Sequence, residues 1–192
     1  MSGFEVAAQR RSPLAGISLP DGIRELSFLA QIDVQLDSAD TRATAAAGTA
    51  IGVDVPLDPN TVTSGDDLAV LWLGPSEWLV VGPPDHEASL EASLRTALES
   101  TGSSIVDVSA NRTTLELRGP DARQILESGC SIDLDPRAFG PGRCAQTLVA
   151  RAQVVLWQLA PEPVYRLLVR PSFAAYLAAW LSDAASSVGG RG

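Results

Sequence analysis

Lysine is missing from the 192-residue chain, and all 14 of its basic residues are arginine. That absence excludes Schiff-base chemistry, a lysine-dependent phosphate loop and a kinase-type site. Histidine occurs once, as His86, so a multi-histidine metal site cannot be assembled, nor a triad with a spare histidine. The two cysteines, Cys130 and Cys144, lack paired spacing and point to a reducing compartment, with the cytoplasm expected. Positive charge is scarce against negative. The net charge of −9 and the pI near 4.5 argue against a nucleic-acid partner, whose affinity would come from clustered cations. No apolar run approaches the roughly 20 residues that cross a bilayer, so no membrane partner is expected. Arg10-Arg11 is followed by no apolar segment of the signal-peptide kind.

What is present is an ordinary globular composition, 45% apolar and 19% charged, fit for one domain or two closely packed halves. Two of the four tryptophans fall in one stretch, VLWLGPSEWLVVGPP at Val70–Pro84. Pro75 presets the backbone for a turn over Gly74-Pro75-Ser76-Glu77, and the flanking runs read as the strands of a hairpin across Leu68–Val81. Apolar on both faces, it needs a cover, either from the helices expected at Glu87–Ser100 and Ser172–Ala185 or from another protein.

Along the chain, residues 1–22 read as an arm, 23–185 as one α+β domain and 186–192 as a flexible tail. Ile32, Val34 and Leu36 alternate as in a half-buried strand. Ala43–Ala50 fits a helical turn or a strand, and Pro56–Asn60 is a loop. Glu87–Ser100 carries Leu90, Leu94, Ala97 and Leu98 at helical spacing, with Glu91 and Arg95 as an i,i+4 pair. Ser104–Val108 and Thr113–Arg118 read as two strands around Ala110-Asn111-Arg112. A short helix opens at Gly119-Pro120-Asp121 and is closed by Gly129. Asp133–Arg143 is a loop. Strands follow at Ala145–Ala150, Gln153–Leu159 and Tyr165–Val169. A last helix spans Ser172–Ala185 with a serine cap, burying Phe173, Tyr176, Leu177, Trp180 and Leu181. From Leu68 the order ββα, ββα, βββα, its first two units each pairing a hairpin with a helix, predicts antiparallel sheets covered by helices.

Catalytic constellations are thin. His86, just before a helix, reads as a general base or ligand, or more simply as a solvated helix-start residue. Cys130 sits at the wrong end of its helix for an activated thiolate, and Arg143 is the one neighbour that would lower the Cys144 pKa. Asp133-Leu134-Asp135 lacks calcium-loop spacing. Asp107-Val108-Ser109-Ala110-Asn111-Arg112 is the best polar cluster, either a partner contact or an Asx-type turn. No catalytic, cofactor-binding or metal-ligating residue is assigned. Trp72, Trp78, Asp107, Arg112 and Arg118 are candidates for a partner interface, with a core role as the alternative for both tryptophans.

Three blocks, LWLGPSEWLVV, DVSANRTTLELRGPDARQILESGCSIDLDPRAFGPGRCAQTLVARAQVVLWQ and VYRLLVRPSFAAYLAAWL, resemble the gamma subunit family of heterotetrameric sarcosine oxidase. The likeness runs from about Asp67 to Ala184, with RRSPLAG at Arg10–Gly16 as a weaker addition. LRGPDARQIL also resembles the wider aminomethyltransferase (glycine-cleavage T-protein) superfamily, which implies that architecture for the fold. The family resemblance implies alpha, beta and delta subunits as partners, alpha being the main contact. It further implies oxidative demethylation of sarcosine to glycine, with FAD, FMN, NAD and tetrahydrofolate held by those partners and no cofactor in this chain. Folate-binding paralogues carry Lys-Gly-Cys-Tyr-x-Gly-Gln-Glu, whereas here Gly129-Cys130 is flanked by Ser128 and Ser131-Ile132-Asp133. Two alternatives stand beside the non-catalytic subunit: a standalone folate-dependent aminomethyltransferase-like protein, and a small-ligand binding or assembly module.

Overall fold

The computed structural model describes residues 10–189. The first two strands, β1 (Ile23–Leu26) and β2 (Ala30–Gln35), belong to different sheets. Between them Phe28 takes φ 63°, a left-handed value costly for a bulky residue, where the chain passes from one sheet to the other. The alanine-rich segment is a helix, α1 (Thr41–Ile51). Asp40 caps it by accepting from the amides of Arg42 and Ala43 at 3.1 and 2.9 Å, and left-handed Gly52 ends it.

A short strand unmarked in the sequence, β3 (Val62–Ser64), precedes the hairpin of β4 (Ala69–Gly74) and β5 (Glu77–Gly82). Gly74 faces Glu77 across the two-residue loop, with a bulge between Trp72 and Gly74. Then come α2 (Glu87–Ala97), β6 (Ser104–Asp107), a 3₁₀ turn at Ser109–Asn111 and β7 (Thr113–Arg118). The remainder is α3 (Ala122–Glu127), β8 (Arg143–Val149), β9 (Ala152–Ala160), β10 (Val164–Val169) and α4 (Pro171–Gly189).

Two antiparallel sheets result. Sheet I runs β3-β4-β5-β2-β6 and sheet II runs β1-β7-β10-β9-β8. Side-chain alternation sorts the core into three layers. Val70, Trp78 and Val80 pack with Leu90 and Leu94 of α2 and Ala43 and Ala47 of α1. On the opposite face, Leu71, Leu79 and Val81 meet Cys144, Val155, Trp157 and Leu168 of sheet II. Sheet II's far face, with Leu115, Leu117, Leu156 and Leu167, is covered by α3, α4 and the buried Leu134 and Phe139. The order is therefore helices, sheet, sheet, helices, an α+β architecture as expected.

Several expectations are corrected. The hairpin's cover is α1 with α2 on one face and sheet II on the other, and α4 lies on the far side of sheet II. The strands around Ala110 are no hairpin, because β6 pairs with β2 while β7 pairs with β1 and β10. Within the expected arm, Leu14 is 3% exposed and packs in the sheet II core with Ile23 and Leu115. Residues 1–9 lie outside the described residues, as do 190–192 of the expected tail. Its residues 186–189 continue α4, which starts at Pro171 and so places Ser172 inside the first turn rather than at the cap. Phe173 and Tyr176 are exposed at 42% and 39%, while Ala174 and Ala178 are buried with Leu177 and Leu181. Gly129 follows the end of α3 and gives room to Trp180: a Cβ there would sit 2.5 Å from its ring.

Candidate functional site

Sheet register sets one row of side chains across sheet II: Arg24 on β1, Glu116 on β7, Arg166 on β10, Trp157 on β9 and Cys144 on β8. All five stand on the face turned towards sheet I, because Leu115 and Leu117 on either side of Glu116 point to the α3/α4 core. Glu116 has a side chain only 1% exposed and collects three arginines. Arg24 Nη2 donates to its Oε1 at 2.8 Å, Arg118 Nε to Oε1 at 3.0 Å, and Arg166 Nε to Oε2 at 3.3 Å. Burial alone would raise this carboxyl's pKa. The hydrogen bond from Arg118 and the charge of Arg24 outweigh it and hold the pKa below the usual carboxylate value.

Next in the row, the Arg166 guanidinium lies over the Trp157 ring, 5.1 Å from its centroid. Both line a cleft of about 470 Å³ where the sheets part at one end of their shared core. Leu26 and Leu159 supply apolar wall, and exposed Asp66 and Asp67 form the opposite rim. At the row's end, burial pushes the Cys144 thiol up to about 11, more than Arg143 can offset. Its Sγ donates to the Trp72 carbonyl at 3.4 Å, so it stays a protonated core thiol. The arrangement can hold a carboxylate and an apolar body. Each charge in the Glu116 cluster is already engaged in an ion pair, which gives it no free base.

The residues singled out from sequence are dispersed. Trp78 is 1% exposed, and its Nε1 donates to the Pro56 carbonyl at 2.7 Å, which makes it a core residue with no surface for a partner. Trp72 is half-buried against the same α1/α2 core. Asp107 is exposed, and its Oδ1 accepts from the Ser109 amide at 2.9 Å, the geometry of an Asx-type turn. Arg112 is half-buried beyond that turn. Burial and the neighbouring charge of Arg170 pull its pKa down, against Asp33 and Glu77. Only Arg118 belongs to the Glu116 cluster. His86 is exposed at the start of α2, with Nδ1 2.9 Å from the Pro84 carbonyl.

Arg24, Glu116, Trp157 and Arg166 were not singled out from sequence. For the three charged residues the signal was a charged side chain between apolar neighbours within a strand, clearest for Arg166 in VYRLLV and for Glu116 between Leu115 and Leu117 in TTLELR. No group of three or more histidine, cysteine, aspartate and glutamate side chains among the described residues is placed to hold a metal ion.

Comparison with known proteins adds a family to this geometry. The model of the "Sarcosine oxidase, gamma subunit family" matches residues 35–187, which extends the likeness back through α1 to the end of β2. The sarcosine oxidase subunit gamma of Corynebacterium sp. (strain P-1) is 38% identical over 85% of this chain and 79% of its own length. That of Corynebacterium sp. (strain U-96) is 36% identical over 97% of this chain and 85% of its own. A chain of the heterotetrameric sarcosine oxidase from Corynebacterium sp. U-96, solved with pyrrole 2-carboxylate, superposes with a TM-score of 0.83. It shares 34% identity and covers 93% of this chain and 95% of its own. The glycine cleavage system aminomethyltransferase T of Bartonella henselae, 14% identical over 83% of this chain and 45% of its own, superposes at 0.62, a likeness of fold alone. Sequence and fold agree, and the chain belongs to the sarcosine oxidase gamma subunit family.

Proposed function

We propose that this chain is a non-catalytic, cofactor-free subunit of a heterotetrameric oxidase that demethylates sarcosine to glycine. It supports assembly with flavin- and folate-binding subunits: alpha as main contact, beta and delta besides, with FAD, FMN, NAD and tetrahydrofolate in those chains. The observation that carries the reading is the superposition on a chain of a heterotetrameric sarcosine oxidase over 93% of this chain. The side chains support it. The Cys144 thiol is protonated, Glu116 is committed to three arginines, and both cysteines are free, as a cytoplasmic chain would have them. No helix among the described residues is long and apolar enough to cross a membrane.

The test is co-expression of the tagged chain with the alpha, beta and delta subunits of the same organism, followed by affinity capture. The reading predicts that the large subunits elute with it and that the isolated chain neither oxidises sarcosine nor binds tetrahydrofolate in calorimetry. Elution of the chain alone, or folate binding by it, would contradict the reading.

A further inference from the structure

A pocket of about 270 Å³ opens where the N-terminal arm, the β1–β2 crossing, the 3₁₀ turn and the start of α4 meet. The charged residues of its lining are Arg10, Arg11 and Arg112, with no carboxylate beside them. Phe28, Ala110 and Pro171 supply apolar wall. Arg10 is engaged within the chain: it pairs with Asp85 at 2.7 Å and Glu87 at 3.1 Å, and lies 5.3 Å from the centroid of the Phe28 ring. Arg11 and Arg112 form no ion pair among the described residues. The nearby carboxylates stand outside the lining. Glu25 accepts from Ser12 and Thr113, and Asp107 from Ser109. Asp33 and Glu77 face Arg112 from sheet I, and Arg170, just past β10, repels it. Burial and that repulsion outweigh the two carboxylates, so Arg112 is a half-buried cation that the chain itself leaves short of a partner.

The helix that starts at this pocket has an unusual outer face. From Pro171 to Ser182 it carries no charged residue, although Ser172, Phe173, Ala175, Tyr176 and Ala179 are exposed. The solvent face of a surface helix is ordinarily charged. Phe173 and Tyr176 stand edge to face on its first two turns, their ring centroids 6.3 Å apart. Arginine and aromatic side chains are the residues that protein interfaces favour. The pocket is also smaller than the roughly 300–1,000 Å³ of small-molecule sites, a size that suits a single side chain.

We propose that this surface seats a segment of one of the larger subunits. An acidic side chain of that segment enters the pocket between Arg11 and Arg112, and an apolar neighbour packs on Phe173 and Tyr176. This rests on the reading of the chain as an assembly subunit, and it names where on the chain a partner takes hold. The arginine lining selects an acidic occupant, because a basic one would meet only like charge inside the pocket.

The experiment is the same affinity capture with the full chain carrying Arg112→Gln or Phe173→Ser, and Arg42→Gln on α1 as control. Phe173 is exposed and the Arg112 charge is one the fold disfavours, so both variants should fold. Arg112→Gln should weaken capture at least about tenfold and flatten its dependence on ionic strength. Phe173→Ser should weaken capture at least about tenfold and leave that dependence as it is, while Arg42→Gln does neither. Capture by either variant equal to that of the wild type overturns the inference and leaves the assembly reading standing. Failure to capture with the wild-type chain removes the assembly reading itself, and the inference with it. Should Arg112→Gln prove poorly folded, Arg11→Gln takes its place under the same criteria. Wild-type capture indifferent to salt overturns the inference. Millimolar inorganic phosphate that raises the thermal midpoint above that in chloride of equal ionic strength, without disturbing capture, marks a small-anion site and also overturns it.

Discussion

Glu116 is the residue on which the electrostatics of sheet II turn. Its pKa is lower in the folded chain than in the unfolded one, so its ion pairs stabilise the fold fully above the usual carboxylate value. That contribution disappears as the pH falls through the lowered value. Glu116→Gln should cost about 3 kcal/mol at neutral pH, the low end for a buried pair because its arginines are partly screened. Chemical denaturation at neutral and acid pH checks this: the cost should shrink in acid. Glu77 has the opposite sign. Burial, then the charge of Asp33, raises its pKa, so its ionisation destabilises the fold as the pH rises above the usual carboxylate value. Glu77→Gln should therefore stabilise the chain at neutral pH and leave it unchanged in acid. Cys144 should resist thiol reagents at pH 8 in the native chain and react after unfolding, as followed by mass spectrometry. Glu116 was not legible as a site, because in TTLELR it looks like an outward residue of a half-exposed strand. Only the pairing with β1 and β10 reveals that three arginines converge on it.

The hairpin of β4 and β5 shows what was legible at the level of elements. Its turn, its strands and its need for cover on both faces followed from Pro75 and the apolar runs. The identity of the cover did not, because sheet II is assembled from residues far along the chain. Trp78→Ala should cost about 3–5 kcal/mol, since it removes a wholly buried side chain and leaves the Pro56 carbonyl without its donor. Equilibrium unfolding measures that loss. For α1, the alanine run left helix and strand both open in the sequence, and the caps Asp40 and Gly52, which mark its ends in the structure, were not used. In α4 the reading followed the large aromatics, whereas the helix turns Ala174 and Ala178 inward and so approaches sheet II closely. Phe173→Ser should therefore leave the thermal midpoint nearly unchanged, and Leu177→Ala should lower it by the equivalent of about 2–5 kcal/mol.

At the scale of the whole molecule, sheet I is built from β2 to β6 and sheet II from β7 to β10, with β1 crossing over to close sheet II's edge. Gly22 anchors that crossing: it has φ +84°, and a Cβ there would lie 2.7 Å from the Arg118 carbonyl oxygen. The apolar layer between the sheets joins the halves, so calorimetry should show one unfolding transition rather than two. The α+β class and the family were legible because turns, helix stops and blocks such as LRGPDARQIL are local in sequence. The cleft was not, because its walls come from both sheets. We propose that the chain supports an oxidase assembly and carries no cofactor of its own. Native mass spectrometry of the co-expressed complex tests this most directly. One copy of this chain should be present in the heterotetramer and should leave on dissociation at the 20.1 kDa of its polypeptide. An active oxidase complex that lacks the chain, or a released chain heavier by a flavin or a folate, would contradict it.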